Sequence, residues 1–389
     1  MIKLVTSKQN FSKSHPDNYI VLLFDKDILY ANHYEKEVGK LDLDKLHIGI
    51  DYKTFIKNDL KFLDLNVVNY WHTNKVIHEV TWSNFHSDSD FMYYYPLYKI
   101  MEKMDWEDDE HEVTPELQLF HDEFCEAFTR IELNGIGVNT NLISTFGNQV
   151  AKYVYDKKLY QNYNFFTTTS RPSNSIHNLN FAALTPEHRK CFSPLNDVFV
   201  EFDFDAYHPR LIGDLIGYNF PKSSAHEYLS DKYDVDVNKG KTMTFQYLYG
   251  GIPNKIADKI EFLNMTKNLI NEMWNEFNDK KKIGTHIYNR PLEEENLENL
   301  NPQKLFNYYI QSYETERNVK LLMKLHQYLL TKKTNIVHYN YDSFLFDYNT
   351  SDGVETIYEI KEILESDGFL TKTKVGHNYG EMKRHAFGD

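Results

Sequence analysis

The sequence predicts an α+β protein in which strand-like segments enclose a mainly helical region. Aromatic and β-branched residues are concentrated at residues 198–204, 334–348 and 370–376, a pattern typical of buried strands. Between the first two segments, residues 207–330 follow helical patterns. With 389 residues, 41% of them hydrophobic and 15% aromatic, the chain is long enough to form two or three folded domains.

The amino-terminal part of the chain is set apart by an acidic segment. Residues 19–33 contain two apolar runs around an Asp-Lys-Asp turn, which predicts a β-hairpin. Residues 102–116 hold eight acidic residues and one lysine, a composition typical of a solvated linker or surface. A first domain over residues 1–110 is therefore the simplest division. A segment over residues 111–197 follows it and connects to the strands and helices described above.

The second segment begins with a well-delimited helix. Thr114 is a suitable N-cap, Pro115 fits the first turn, and apolar residues then recur at three- and four-residue steps as far as Asn134-Gly135. Residues 166–184 are polar and are predicted to be extended.

Composition excludes several classes of protein. The two cysteines, Cys125 and Cys191, form no metal-binding motif, so we expect no structural zinc. So few cysteines are typical of a protein in a reducing compartment. We find neither a signal peptide nor an apolar run of about 20 residues, and we expect a cytoplasmic protein without a membrane partner. A net charge of −14 argues against a globally basic DNA coat but permits a local basic groove.

Two aspartates are the first candidates for chemistry. Asp203 and Asp342 lie in or at the end of strand-like runs about 140 residues apart. A carboxylate there is costly to bury unless it is paired, and a bound cation is a common partner. Carboxylates on neighbouring strands can bridge two Mg²⁺ ions for phosphoryl transfer. The alternative is that both aspartates only cap turns at strand ends.

A predicted helix between the two aspartates is the second candidate. Lys241, Phe245 and Tyr249 are spaced four residues apart and share one face of this helix, which ends at Gly250-Gly251. A cation there can contact phosphate oxygens, and the rings can cover a base or sugar. The alternative is an amphipathic core helix whose lysine only reaches out to solvent.

A third set of residues is polar and suits contacts with phosphates or the minor groove. Any one of them could equally be an ordinary surface or capping residue. The set comprises Arg171, Asn178, Asn180, Asn307 and Gln311.

Taken in order, these segments resemble family A DNA polymerases in a compact, phage-type form. The first palm motif of the family, Asp-Tyr-Ser-Gln-Ile-Glu-Leu-Arg, is similar to Asp203-Phe-Asp-Ala-Tyr-His-Pro-Arg210, and Lys-x-x-x-Phe-x-x-x-Tyr-Gly matches residues 241–250. Four shorter motifs follow the same order. They are Arg171 with Asn178 and Asn180, His226, Asn307 with Gln311, and Tyr341-Asp342-Ser343.

The resemblance implies a right-hand polymerase architecture. The palm would comprise residues 198–214 and about 300–389, with the fingers inserted at about 215–300. A much reduced thumb would lie within residues 111–197, because only about 35 residues separate Gly135 from Arg171. Residues 1–110 would be a vestigial α/β exonuclease-like domain, because an Asp-Lys-Asp turn stands where the family has its metal-binding Asp-x-Glu pair.

The resemblance also implies roles for individual residues. Two Mg²⁺ ions, replaceable by Mn²⁺, would be held by Asp203, Asp342 and the Phe204 carbonyl. Lys241 and His226 would contact the triphosphate, and Lys241 would also protonate the leaving pyrophosphate. Phe245 would stack on the nucleotide and Tyr249 would lie beside the templating position. The contacts to DNA would come from Arg171, Asn178, Asn180, Arg210, Asn307 and Gln311.

Several positions depart from the family pattern. The family glutamate that blocks the ribose 2′-hydroxyl is His208, which puts sugar discrimination in question. Ser343 replaces an acid, and Val237 replaces an arginine for which Lys239 is a substitute.

We therefore expect a DNA-templated DNA polymerase that uses primer-template DNA and dNTPs. It would have no active proofreading and would be aided by a processivity factor or other replisome protein. Phage genome replication in the host cytoplasm would be its setting. A sugar-permissive or RNA-synthesising polymerase is one alternative. A catalytically degenerate fold that serves as a nucleic-acid-binding module is the other.

Overall fold

The computed structural model describes residues 3–7, 20–25, 28–31, 115–143, 154, 157–164, 167, 169–176, 179–294, 297 and 299–385. The chain divides into two compact units. The first comprises Met1–Leu133, Tyr160–Phe166 and Asn174–Ile176, and the second comprises Asn134–Leu159, Thr167–Ser173 and His177–Asp389. Most of the predicted exonuclease-like domain lies outside the described residues.

The described part of the first unit holds a small sheet and a long helix. Strands β1 (Lys3–Ser7), β2 (Ile20–Asp25) and β3 (Ile28–Ala31) pair antiparallel, which confirms the predicted hairpin. Helix α1 (Pro115–Asn134) begins and ends where its capping residues predict. Phe124 and Phe128 are buried along it, with ring centroids 4.3 Å apart.

Strand Asn162–Asn164 and most of strand Ser173–Ile176 belong to the first unit. The second unit begins with short elements and continues through a helical region to a sheet. Its elements and those of the connecting stretch are β4 (Ile136–Gly137), α2 (Thr140–Ile143), β5 (Lys158–Leu159), β6 (Asn162–Asn164), β7 (Ser173–Ile176), β8 (Leu179–Asn180), α3 (Pro186–Arg189), β9 (Val198–Phe204), α4 (Tyr207–Ile216), α5 (Ala225–Tyr233), α6 (Val237–Gly250), α7 (Asn254–Ala257), α8 (Glu261–Lys280), β10 (Lys282–Gly284), β11 (Pro291–Glu293), α9 (Pro302–Leu329), β12 (Asn335–Asn340), β13 (Ser343–Tyr348), α10 (Glu355–Glu365), β14 (Thr371–Gly376) and β15 (Lys383–Arg384).

A five-stranded antiparallel sheet forms the base of the second unit. Its strand order is β12-β13-β9-β14-β15, so β9 lies in the middle. Because side chains alternate along a strand, β9 has one apolar face, which includes Phe202 and Phe204. These rings contact Phe346 and Phe344 of β13 edge to face. The opposite face of β9 carries acidic side chains.

Helix α9 is the longest of the described helices and has an unusually polar buried surface. Its N-cap Asn301 accepts a hydrogen bond from the Lys304 amide, and Pro302 occupies the first turn. The buried Arg317 guanidinium lies 4.0 Å from the Phe369 ring centroid and 4.9 Å from that of Phe204. A cation stacked on two rings in this way ties α9 to the apolar side of the sheet.

Helices α5 and α6 pack closely because a glycine lies between them. A Cβ atom on Gly240 of α6 would lie 2.0 Å from the Ser230 hydroxyl oxygen of α5, so no larger residue fits. The Thr244 hydroxyl is also hydrogen-bonded to the Tyr233 hydroxyl at 3.1 Å. Helix α6 begins after the N-cap Asp236, ahead of the predicted start at Lys241, and ends at Gly250 as predicted. None of the helices in the described ranges has the length and apolarity needed to cross a bilayer.

Candidate active site

The structure brings Asp203 and Asp342 together at one end of the sheet. Asp203 is the penultimate residue of β9, and its partner across β13 is Ser343. Asp342 directly precedes Ser343 in the turn between β12 and β13, and its carbonyl accepts a 2.9 Å hydrogen bond from the Phe204 amide. The two aspartates, 139 positions apart in the sequence, are therefore neighbours on adjacent strands.

One residue with a strained backbone lies near each aspartate: Ala206 is three residues after Asp203, and Tyr341 directly precedes Asp342. Ala206 has a φ of 50° and Tyr341 a φ of 58°, a left-handed conformation that is costly for side chains other than glycine. The Tyr341 carbonyl accepts a 2.8 Å hydrogen bond from Asn318, and the Arg171 guanidinium lies 3.8 Å from the Tyr341 ring centroid. These contacts hold the turn that carries Asp342.

Asp342 lies where a negative charge is disfavoured. Burial, the charge of Asp203 and the charge of Glu314 together raise the pKa of its carboxyl to about 6. The side chain is nevertheless open to solvent. Both observations fit a cleft, where surrounding protein reduces solvation while one side stays accessible. A divalent cation in that cleft would relieve the repulsion.

Asp203 is paired with a lysine from the neighbouring strand. Lys374 of β14 is the cross-strand partner of Glu201, and its Nζ lies 2.8 Å from Glu201 Oε2 and 2.9 Å from Asp203 Oδ2. Burial alone would lower the pKa of Lys374, but the two carboxylates raise it, so the ammonium stays charged.

A second acidic residue, Asp205, organises the start of α5. Its carboxylate accepts hydrogen bonds from the Ala225 amide at 3.0 Å, from Ser224 at 3.1 Å and from Lys372. Arg210, which is predicted to contact DNA, has a buried guanidinium 3.1 Å from the Asp205 carboxylate. Burial would raise the pKa of Asp205, but the Lys372 and Ala225 hydrogen bonds bring it below its ordinary value.

Helix α5 in turn presents His226 towards α6. The His226 ring centroid lies 6.1 Å from that of Phe245. Burial and the nearby positive charge of Lys241 lower the pKa of His226 to about 4, so the imidazole is neutral at pH 7. A neutral ring can donate one hydrogen bond to a phosphate oxygen without adding charge.

The predicted face of α6 is present. The Phe245 and Tyr249 rings are stacked, with centroids 6.1 Å apart and planes 18° apart. Lys241 is exposed one turn earlier on the same face, whereas Lys239 is exposed near the N-cap, where its amide bonds Asp236. Lys241, His226 and Phe245 therefore form a cationic and aromatic surface on the paired helices.

A buried network connects α6 to α9. His208 Nδ1 is hydrogen-bonded to the Tyr249 hydroxyl, and His208 Nε2 lies 2.6 Å from Glu314 Oε2. Arg171 Nε lies 3.3 Å from the same oxygen of Glu314, whose side chain is 1% exposed. Burial would raise the pKa of Glu314, but His208 and Arg171 lower it, so the carboxylate is charged.

The remaining predicted DNA contacts are only partly described. Asn307 and Gln311 lie one turn apart on α9 and are joined by a 3.0 Å hydrogen bond, as their spacing predicts. Gln311 also bonds Thr169 at 3.4 Å, close in sequence to Arg171. Asn178 lies outside the described residues. Asn180 lies in β8, but its side chain is not among those described.

The donor atoms at the sheet suit Mg²⁺ although they are few. Across the described ranges, no group of three or more His, Cys, Asp or Glu residues is arranged as metal ligands. Mg²⁺ is commonly bound through one or two carboxylates and completes its octahedron with water and substrate phosphates. Within the same residues, Asp203 Oδ1 accepts no hydrogen bond, and Asp342 pairs with no cationic side chain. The pair therefore fits a Mg²⁺ site.

Sequence reasoning missed three residues that shape this site: Glu201, Glu314 and Lys374. Glu201 carries a usable signal, because it alternates with Asp203 along a strand whose other residues are apolar. Glu314 and Lys374 carry none, since each is one polar residue among several in its element.

Comparison with known proteins supports the fold and not a close relationship. No protein-family model matches the sequence, and no curated protein matches it significantly. Among solved structures, the chain is similar to the polymerase domain of Pol1 from M. smegmatis in complex with DNA primer-template and dNTP. That likeness covers 68% of this chain and 70% of the other, with a TM-score of 0.55 and 11% sequence identity. The chain therefore has a fold similar to the polymerase domain of a DNA polymerase I.

Proposed function

We propose that this protein is a DNA-templated DNA polymerase that extends a primer 3′-end with dNTPs. The observation that carries the proposal is the meeting of Asp203 and Asp342 on adjacent strands of a polymerase-like fold. A pair of accessible carboxylates, one of them with a raised pKa, suits cation-assisted phosphoryl transfer.

In this proposal the primer 3′-oxygen attacks the α-phosphorus of the dNTP. The bond between the α-phosphorus and the bridging oxygen breaks, and pyrophosphate leaves. Mg²⁺ ions held by Asp203, Asp342 and the Phe204 carbonyl, or Mn²⁺ in their place, would supply activation of the 3′-hydroxyl and neutralisation of phosphate charge. The proton of the 3′-hydroxyl passes to solvent.

The helices supply the nucleotide contacts. Lys241 bonds the triphosphate and donates a proton to the departing pyrophosphate, while neutral His226 donates a hydrogen bond to a phosphate oxygen. Phe245 stacks on the incoming nucleotide and Tyr249 lies beside the templating base. Lys239 is a further cation near the same helix end. Arg171, Asn178, Asn180, Asn307 and Gln311 are proposed to contact primer-template DNA.

The wider role is proposed on the sequence alone. We propose replication of a phage genome, with no proofreading by residues 1–110 and with help from a processivity factor that offsets the small thumb. The family assignment to family A belongs to the same proposal, since it depends on the motifs around Asp203, Lys241 and Asp342.

A sugar-permissive or RNA-synthesising polymerase is a second candidate, which the histidine at position 208 favours. His208 is bonded to Tyr249 and Glu314, so its ring is engaged within the protein. An acid at this position would be repelled by the buried Glu314 carboxylate. The two candidate functions differ in whether a nucleotide with a ribose 2′-hydroxyl is accepted as a substrate. The nucleotide-transfer step is the same in both.

Primer extension tests the proposal. The purified chain is given a labelled primer-template with Mg²⁺ and either dNTPs or NTPs, and a double variant, Asp203→Asn with Asp342→Asn, guards against contaminating polymerase. We expect template-directed extension with dNTPs that the double variant lacks. Equal use of NTPs would favour the second candidate. No extension with either substrate would refute polymerase activity and leave a nucleic-acid-binding module, which a DNA-binding measurement detects.

A further inference from the structure

The acidic face of β9 holds one more carboxylate than the proposed mechanism uses. Glu201 lies two residues before Asp203, and both carboxylates contact the same Lys374 ammonium. Residues two apart on a strand point to one face, so Glu201 belongs to the face that bears Asp203. On β13, the position across from Asp203 is Ser343, which brings no charge.

The charges of Glu201 and Lys374 interact strongly with that of Asp203, because the surrounding protein limits their screening by water. The Glu201 side chain is 7% exposed and that of Lys374 is 37% exposed, so the carboxylate is largely removed from water. Charges interact more strongly where solvent screening is weak. The ammonium occupies Oδ2 of Asp203, while Oδ1 accepts no hydrogen bond within the described residues and stays open for a ligand.

We propose that Glu201 and Lys374 are positioning residues that set how tightly Asp203 and Asp342 bind a divalent cation. Lys374 fixes the Asp203 carboxylate and weakens its attraction for the cation. Glu201 draws the ammonium away from Asp203 and restores part of that attraction. The inference rests on the proposed function, because it assigns the cation to the same two aspartates.

The pair predicts opposite effects for its two members. Lys374→Met removes a positive charge beside the site, so divalent-cation affinity rises by about three- to tenfold. The same change frees the Asp203 side chain, so the extension rate at saturating Mg²⁺ falls. In Glu201→Gln the Lys374 ammonium is attracted by the Asp203 carboxylate alone, so the affinity for the divalent cation falls by about three- to tenfold. The double variant returns affinity to near that of the wild type.

Mn²⁺ binding measured by electron paramagnetic resonance, on the full chain without DNA or nucleotide, is the direct test. Lys190→Met is the matched control, because Lys190 is also ion-paired and its side chain is 33% exposed. We expect the control to leave Mn²⁺ affinity unchanged. A thermal melt of each variant establishes that it is folded, and Lys374→Arg, which keeps the charge, should stay near wild-type affinity.

The outcomes separate this inference from the proposed function. Opposite shifts in Glu201→Gln and Lys374→Met support it, whereas shifts of the same sign, or none, overturn it. Should Glu201→Gln fail to fold, the contrast between Lys374→Met and Lys374→Arg decides in the same way. Absent primer extension by the wild type would refute the polymerase proposal alone, because Mn²⁺ binding is measured without any reaction.

Discussion

Asp203 and Lys241 are held in the structure by different kinds of contact. Asp203 lies on a central strand that is paired on both sides, and its carboxylate is bonded to Lys374. Lys241 is exposed and makes no hydrogen bond or ion pair within the described residues; the helical repeat alone aligns it with Phe245. Under the proposed function, the sheet therefore presents a preformed site, whereas the helix presents groups whose partners would arrive with the substrate.

The strongest test of this contrast is removal of a sheet carboxylate. Asp203→Asn or Asp342→Asn should each lower the extension rate by at least about a thousandfold, because a neutral amide oxygen offsets none of the charge of the cation. Primer-template binding should stay close to that of the wild type. Single-turnover extension and a DNA-binding titration measure the two effects.

Asp258→Asn is the control for those variants, because Asp258 is an exposed aspartate at the end of α7. It should extend primers normally. Near-normal extension by either sheet variant would refute the proposed cation site.

On the helix, Lys241→Ala should lower kcat/KM for dNTPs by about 100-fold, the range typical of a lost proton donor. Lys239→Ala should cause a much smaller loss, because Lys241, unlike Lys239, lies near enough to His226 to help lower its pKa. Steady-state kinetics with varied dNTP measures both. An effect of Lys239→Ala as large as that of Lys241→Ala would contradict this assignment of the helix face.

The buried network that connects α6 to α9 through His208, Glu314 and Arg171 should contribute to the free energy of unfolding. Glu314→Gln removes a buried charge that His208 and Arg171 share, so the free energy of unfolding should fall by about 2 kcal/mol. Glu276→Gln breaks an exposed pair with Lys280 and should leave the free energy of unfolding almost unchanged, because solvent screens such pairs. Urea unfolding compares them, and equal losses would show that the buried network is unimportant.

The smallest expected effect concerns pH. Asp342 has a pKa raised from 3.8 to about 6 in the folded protein. Its contribution to stability is therefore fully present below its ordinary pKa and is lost as pH rises through 6. Because the side chain is exposed, we expect Asp342→Asn to stabilise the protein at pH 8 without divalent cation by under about 1 kcal/mol.

The stability gained by Asp342→Asn should shrink as pH falls towards 4, since the carboxyl of Asp342 in the wild type then becomes neutral as well. Thermal melts in chelator across this range measure the difference. A gain that did not vary with pH would contradict the repulsion between Asp342 and Asp203.

Local pattern was enough to predict much of the fold. Strand β9 and helix α1 have the predicted bounds, and helix α6 has the predicted end, because periodicity and capping residues are local signals. The start of α6 at Val237 lies four residues before the predicted one. The meeting of Asp203 with Asp342 was expected from strand placement and from the resemblance, and the register of β9 with β13 confirms it.

The supporting contacts could not be predicted in this way. Glu314 meets Arg171 across 143 positions, and Lys374 meets Asp203 across 171. No periodicity connects such residues, so their pairing depends on the assembled fold. The pairing of Arg210 with Asp205 was likewise not predicted, since its match to a motif indicated only a contact with DNA, which stays a prediction.

The close packing at Gly240 has a consequence for motion. Helices α5 and α6 are too tightly apposed at Ser230 to slide past each other, and the Thr244–Tyr233 hydrogen bond joins them again further along. Any swing of one helix therefore carries the other. His226 and Lys241 would then move as one rigid body. In the proposed polymerase, they would keep their mutual spacing whether a nucleotide is bound or released.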